Sequence, residues 1–242
     1  MKLKILPLTP ILWPALEDLF GENGVCNGCW CMYWRIGNAY RKKPRETNKA
    51  AFHEVVKRGP PPGLVAFAGD LAVGWCQLTP RDDLPWLDRA WRLRRVDNVP
   101  VWSISCFYVR KGYRKQGVTS ALIAAALKTA RSAGAPALEA YPLDGDLTPS
   151  ASGTGYASTF ARAGFTRAGC GCGRRNKPGI PAATRLDKRP IAEQYIYRRT
   201  PLWRHEPDQR PRVFFRRTVG TTELAMRKHI PWRTSGRTRI RT

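Results

Sequence analysis

The sequence predicts an α/β fold, and three observations carry the prediction. A β-strand, Val101–Val109 (VWSISCFYV), runs through a basic, glycine-containing loop into an alanine-rich helix, Val118–Ser132 (VTSALIAAALKTARS). Two apolar runs, Leu64–Ala68 and Leu71–Leu78, flank Gly69-Asp70, a pair suited to a tight hairpin turn. The chain has 242 residues, 43% of them hydrophobic, which is enough for one good core plus an extension.

The elements follow in order. Leu3–Leu8 is a short apolar strand, and Pro14–Phe20 a helix with proline in its first turn and Gly21 at its end. Thr47–Lys57 reads as a second helix, with Ala51, Phe52, Val55 and Val56 on or near one face. The hairpin comes next. Residues 80–100 then make a longer connection, in which Trp86 and Trp91 stand beside Arg92, Arg94 and Arg95. They either cap a cleft or bury an amphipathic face. The strand Val101–Val109 is aromatic and β-branched, and the following helix carries apolar residues at helical spacing until Gly134 and Pro136 close it. Ala137–Tyr141 is a further strand, and Ala157–Ala163 a short helix ending at Gly164-Phe165.

The loop between the long strand and helix aims backbone N–H groups and the positive end of a helix dipole at one spot, which suits a phosphate or pyrophosphate. Gly117 allows close approach of the backbone, and Arg114 and Lys115 add full positive charge. The order Arg114-Lys115-Gln116-Gly117-Val118-Thr119 resembles the acyl-CoA-binding signature of the GNAT superfamily of N-acetyltransferases: Arg or Gln, two residues, Gly, one residue, then Gly or Ala. Val109, Tyr113, Ala121 and Leu122 also fall where that family places such residues. Thr119 departs from the usual Gly or Ala, though it is small and offers a hydroxyl.

The resemblance covers about residues 1–168 and implies a GNAT-type mixed, mostly antiparallel central sheet flanked by helices. It implies acetyl-CoA as co-substrate, lying where the fourth and fifth strands part. Phe107 and Val109 would contact its pantetheine arm through their backbone, and the N–H groups of Gln116, Gly117, Val118, Thr119 and Ser120 would hold its pyrophosphate. The chemistry implied is direct transfer to an amine in a ternary complex, with proximity supplying much of the rate. The family's usual tyrosine acid is replaced by Phe160, and the nearest phenol is Tyr156, one helical turn earlier. The strand-four glutamate that serves as base in one branch is also missing, with Ser103 near its place. Glu139 and Tyr141, on one face of the next strand, are the substitutes, each equally readable as surface charge or packing. Cys106 faces either the cleft or the core.

Cys26-Asn-Gly-Cys29-Trp30-Cys31-Met-Tyr-Trp34-Arg35 is the second distinctive element. Its GCWCMYWR portion is similar to a stretch in a branch of bacterial GNAT proteins. Three readings stand: a Trp- and Cys-rich packing layer, a wall of the acceptor pocket, or a metal or redox site with Cys31 and His53. Trp75-Cys76 is placed to pack with it. Against metal, no second C-x-x-C follows at ribbon spacing, and the expected metal set is none.

Past Phe165 the patterning stops. Residues 171–242 hold 19 Lys and Arg against 5 Asp and Glu, which is +14 of a formal net charge of +24. Only Gln194–Tyr197 and Val213–Phe215 look strand-like. Residues 169–242 therefore read as an irregular basic extension, poorly ordered or aberrant, such as a frame-shifted version of the closing strands. Trp203, Phe214, Phe215 and Trp232 among arginines also suit stacking on nucleic acid.

No apolar run approaches a membrane span, the prolines and Glu17-Asp18 argue against a signal peptide, and an odd seven cysteines read as reduced thiols. Location is expected to be cytoplasmic. Expected partners are a small-molecule or peptide amine acceptor and nucleic acid held non-specifically by the basic tail, with a homodimer kept open and no membrane. The expected function is an acyltransferase. The alternatives are a nucleic-acid-binding protein on a GNAT-like core, and a CoA-binding GNAT domain without turnover.

Overall fold

Strand β1 (Lys4–Pro7) opens the chain and pairs antiparallel with β2 (Gly63–Ala68), which forms a hairpin with β3 (Leu71–Pro80) around Gly69-Asp70. The computed structural model describes residues 1–25, 27–144, 152–169, 193–194 and 196–199. These lie in one compact unit, Met1–His205, while Glu206–Thr242 is a second unit outside the described residues.

Between β1 and β2 come helices α1 (Trp13–Phe20), α2 (Tyr33–Ile36) and α3 (Arg45–Arg58). After β3 come the one-turn helix α4 (Trp86–Arg89), β4 (Trp102–Val109), α5 (Val118–Ser132) and β5 (Leu138–Ala140). The short strand β6 (Leu143–Asp144), helix α6 (Ala157–Arg162), β7 (Thr166–Gly169), β8 (Glu193–Gln194) and β9 (Ile196–Arg199) complete the described elements. The main sheet has seven strands in the order β1-β2-β3-β4-β5-β9-β7, and β6 pairs with β8 separately. Every neighbouring pair in the main sheet is antiparallel except β4 and β5, which are parallel. The mixed, mostly antiparallel α/β architecture expected from the sequence is the one observed.

One face of the sheet carries α5 and α6. Helix α5 buries Val118, Leu122, Ile123, Ala126 and Ala130, a stripe that meets Val73, Ile104 and Leu138 from the strands. Gly74 sets the closeness of that contact: a Cβ there would lie 2.6 Å from Val118 Cγ1. The other face carries α1, α3 and the 29–34 segment, with Trp13, Phe20, Trp30, Phe52 and the fully buried Trp75 at its centre. A third apolar cluster gathers Trp34, Leu84, Leu87, Leu93, Tyr141 and Ile196. It shows that residues 80–100 bury an amphipathic face, although Trp91 stays 56% exposed under Arg92.

Two departures from the sequence reading matter. The boundary at residue 168 cuts through the sheet, because β9 lies between β5 and β7 and covers an edge of β5 that would otherwise present unpaired backbone groups. The strand-like run at Gln194–Tyr197 thus corresponds to β8 and β9, whereas Val213–Phe215 lies outside the described residues. The second departure is inside β4. Gln77 pairs with Cys106 and the next residue, Leu78, with Ile104, so Ser105 is an extra residue on β4 and forms a β-bulge. The bulge brings Ser105 and Cys106 to the same face of the sheet as the 29–34 segment.

Candidate functional site

The parallel pair β4 and β5 meets only at Trp102–Leu138, Ser103–Glu139 and Ile104–Ala140. Strand β5 ends there, while β4 continues from the bulge to Val109 with no strand partner on that side among the described residues. The two strands therefore part at the bulge, leaving an open edge that leads to the loop before α5. The side chain of Phe107 is buried against Phe160, with ring centroids 6.0 Å apart, so what Phe107 offers at this edge is backbone. The carbonyl of Val109 accepts from Arg114 Nε at 3.2 Å, which anchors Arg114 at the end of the edge.

The loop reverses through three residues with positive φ, Gly112 (95°), Lys115 (61°) and Gly117 (82°), and Gln116 Nε2 donates to the Gly112 carbonyl at 2.6 Å. Lys115 is the unusual member, since a side chain at positive φ costs about 1 kcal/mol or more. Helix α5 then begins with Gly117 as its cap residue and no side-chain cap bond. Its first backbone bond is Ala121 N–H to Gly117 O, 3.0 Å. The N–H groups of Val118, Thr119 and Ser120 therefore have no partner within the helix and stand at its positive end. A Cβ on Gly117 itself would meet nothing within 4 Å.

The sequence-derived acid and base candidates fall in two places. Glu139 is 1% exposed. One of its oxygens accepts from Arg81 Nη1 at 3.2 Å and the other from Arg198 Nε at 3.1 Å, with Arg198 Nη2 also on the latter. Tyr141 is fully buried beside it: its hydroxyl donates to Glu139 at 3.1 Å, accepts from Arg81 at 2.7 Å and lies 2.7 Å from Ser103 Oγ. Burial, then the charge of Glu139, push the Tyr141 phenol well above its usual range. With both carboxylate oxygens held by guanidiniums, the expected role of Glu139 as proton acceptor does not fit this geometry. The expected role of Tyr141 fails likewise, since its hydroxyl is enclosed among Arg81, Ser103 and Glu139. Tyr156 stands apart at the start of α6, 39% exposed. Phe160, where the family usually has tyrosine, is fully buried and packs edge-to-face on Phe165.

Arg81 and Arg198 had no assigned role from sequence, because what buries them is distant in the chain. Arg81 also bonds Asp88 at 2.7 Å and the Leu93 carbonyl at 2.5 Å, and Arg198 reaches Asp97. Burial alone would depress Arg81, but the groups around it, Tyr141, Asp88 and Glu139, outweigh that and hold it above the ordinary arginine value.

The Cys- and Trp-rich segment packs directly on the bulge. Trp34 Nε1 donates to the Ser105 carbonyl at 3.0 Å, and Ser105 Oγ donates to Gln77 Oε1 at 2.9 Å. Gln77 Nε2 donates in turn to the Cys31 carbonyl at 3.3 Å, and Trp75 Nε1 to Cys31 Sγ at 3.1 Å. The bond from the Cys31 thiol lowers the half-buried Cys106, while that same contact, then burial, raises Cys31. Burial pushes Cys29 up to about 11. Cys29, Cys31, Cys76 and Cys106 are free thiols, and among the described residues no group of three or more His, Cys, Asp or Glu is arranged to hold a metal; Cys26 lies outside them. His53 stacks on Trp13 at 4.3 Å instead.

A cavity of about 590 Å³ opens by α1 and α3, lined in part by Glu17, Asp18, Trp30, Arg45, Glu46 and Lys49. Its charges are largely spent on one another or nearby: Glu17 on Lys49 at 2.8 Å, Asp18 on Arg110 at 2.5 Å and Glu46 on Arg45 at 3.4 Å. It does not adjoin the parted strands in any way that adds a chemical group to them.

A parallel strand pair that parts beside a helix N-terminus with no side-chain cap is thus a feature of this mixed α/β sheet. Residues 28–151, just over half of the chain, match the model of the acetyltransferase (GNAT) family, and the chain belongs to that family. Solved structures similar to it include an N-acetyltransferase from Staphylococcus aureus Mu50, at 14% identity and a TM-score of 0.46, covering 84% of this chain and 100% of that one. A polyamine N-acetyltransferase of Drosophila melanogaster is 12% identical with a TM-score of 0.49, covering 81% of this chain and 99% of that one. The PaiA N-acetyltransferase of Thermoplasma acidophilum, in complex with coenzyme A, is 14% identical with a TM-score of 0.43, covering 82% and 98%. No curated protein sequence matches the chain. Among the described residues no helix is long and apolar enough to cross a membrane.

Proposed function

We propose that the protein transfers an acetyl group from acetyl-CoA to a primary amine, directly, with both substrates held together. The observation that carries this reading is the open β4 edge, which runs from the Ser105 bulge to Val109 and ends beside the unpaired N–H groups of Val118, Thr119 and Ser120. An extended amide-bearing arm pairs with such an edge, and a pyrophosphate suits such a helix end, with Lys115 and Gln116 beside it. In this reading the extra residue at the bulge, Ser105, leaves a β4 N–H outside the ladder register for the oxyanion of the transition state.

With Glu139 and Tyr141 committed to the buried arginines, the amine loses its proton to water before attack. Nitrogen then bonds to the carbonyl carbon and gives its second proton to water, the carbon–sulfur bond breaks as the carbonyl re-forms, and the thiolate takes a proton. Tyr156, exposed at the start of α6, is the group we assign to that last step. The buried Phe160 and the committed Glu139 also favour a second reading, a domain that binds CoA without turnover.

Calorimetry on the full chain tests the shared part of both. Micromolar, one-to-one acetyl-CoA binding that Gly117→Trp removes is expected, because Trp sets a bulky side chain at the residue that caps α5 and strains a φ of +82°. Absence of saturable binding by folded protein overturns both readings. Release of thiol from acetyl-CoA with an amine panel separates them, and Tyr156→Phe slowing that release by 10-fold or more supports the acid assignment.

A further inference from the structure

Arg35 closes the Cys- and Trp-rich segment and is used by nothing described so far. It follows Trp34, the residue whose Nε1 bonds the Ser105 carbonyl at the bulge, so α2 is fixed against the point where β4 and β5 part. The Arg35 side chain is anchored at one end only: Nη1 donates to the Asp83 carbonyl at 3.2 Å. Its Nε and Nη2 are fully buried and have no hydrogen-bond partner among the described residues. These two nitrogens form one edge of the guanidinium, where two N–H bonds point in parallel, the edge that takes a carboxylate in two bonds at once.

The Arg35 side chain as a whole is half-buried, but these two N–H groups are buried, and leaving them unpartnered is costly unless something fills the edge. The nearest acid does not: the Asp83 carboxylate accepts from Thr79 Oγ1 at 2.5 Å. Burial, the largest influence, depresses Arg35, and the charges of Asp83 and Cys31 offset it only in part, with Arg58 acting alongside burial. An anion presenting two oxygens matches the geometry of that edge. A tetrahedral dianion would need more donors than one edge supplies, and Gly37, where a Cβ would lie 2.2 Å from Trp86, shows how closely the wall behind α2 is packed.

We propose that the Nε/Nη2 edge of Arg35 binds the carboxylate of the acceptor, so that the acceptors are amines that also carry a carboxylate, such as free amino acids. This rests on the acyl-transfer reading above. The segment then does two jobs at the cleft, with Trp34 holding the bulge and Arg35 orienting the amine.

The test compares matched pairs of amine and amino acid on the full chain: phenethylamine with phenylalanine, tryptamine with tryptophan, cadaverine with lysine. Acetyl-CoA binding is measured first, so that its failure marks the acyl-transfer reading and not this one. With that binding present, the expected result is a KM lower for the carboxylate-bearing member by about 10- to 100-fold, the range of a charged hydrogen-bonded pair. Arg35→Gln erases the preference while leaving KM for the plain amine and the affinity for acetyl-CoA unchanged. Arg35→Lys, a single-point cation, keeps part of it. Binding of the amino acids to the CoA-loaded protein by calorimetry reads the same preference if turnover is slow. Equal use of both members, equal loss of both in Arg35→Gln, or a preference for phosphoethanolamine overturns the proposal. Arg35→Met supplies a readout outside the site chemistry: its melting temperature is expected to match or exceed the parent, whereas a marked fall shows a structural guanidinium and also overturns it.

Discussion

Arg198 and Glu139 are ion-paired across neighbouring strands, with Arg198 Nε 3.1 Å from the carboxylate that Arg81 holds from the other side. The pair ties β9 to β5, and through Arg81 and Asp88 it ties both to the segment that follows β3. A buried charge cluster of this kind adds little net stability over an apolar core, but it is expensive to break.

Glu139→Gln is therefore expected to destabilise the protein by about 3–5 kcal/mol, because it takes from Arg81 a fully buried counter-charge. Urea unfolding measures the loss. Acetyl-CoA affinity of the folded fraction should not change, since the network lies away from the open β4 edge.

Tyr141 predicts an alkaline limit. Its folded-state phenol is held above the ordinary value, mainly by burial, so the stability it contributes is complete below about pH 10. That contribution is lost as pH rises from there through the folded value. Tyr141→Phe should flatten this part of the stability profile. On the acid side, Asp97 is held low by its bond to Arg198, so its contribution is present above about pH 4 and fades as pH falls through the depressed value. Asp97→Asn should lower stability above about pH 4 and flatten the acid arm of the profile.

A chain ending at residue 168 loses β9, and with it the partners of Leu138, Glu139 and Ala140. It should be less stable than the full chain by at least about 3 kcal/mol, because Glu139 then faces Arg81 alone on an exposed edge. Near-ultraviolet circular dichroism and urea unfolding of the two chains decide this, and equal midpoints would count against it.

Gly74→Val should cost about 1–3 kcal/mol by overpacking, given the 2.6 Å approach to Val118 Cγ1 and 3.2 Å to Leu122 Cδ1. Because Val118 is the first residue of α5, the same change should weaken acetyl-CoA binding. A melt with and without acetyl-CoA reads both effects.

Much of this was legible from local pattern. Helix α5 was read to the residue because its apolar spacing and its stop at Gly134 are local signals, and the Arg114–Thr119 order named the loop. The bulge at Ser105 was not legible: β4 is apolar and β-branched on both sides of it, and only the register against Gln77 and Leu78 reveals the extra residue. The buried state of Arg81 and Glu139 depends on partners 58 residues apart in sequence, so an arginine in a connecting loop and a glutamate on a strand each looked ordinary. Strand β9 was legible only as part of a short strand-like run at Gln194–Tyr197, and its place in the sheet was not, since that depends on β5 and β7 standing on either side. Arg35 was visible in its motif, but what marks it is two nitrogens left over after packing, which no local pattern encodes.

The placement of β9 also orders events during synthesis. A chain emerging from the ribosome presents β1 to β5 and then β7 before residues 196–199 exist. Until they emerge, β5 and β7 cannot be joined, because the strand that separates them has not been made. Among the described strands β9 is therefore the last to become available to the main sheet, and until it does the flank of β5 that it covers is left without that partner.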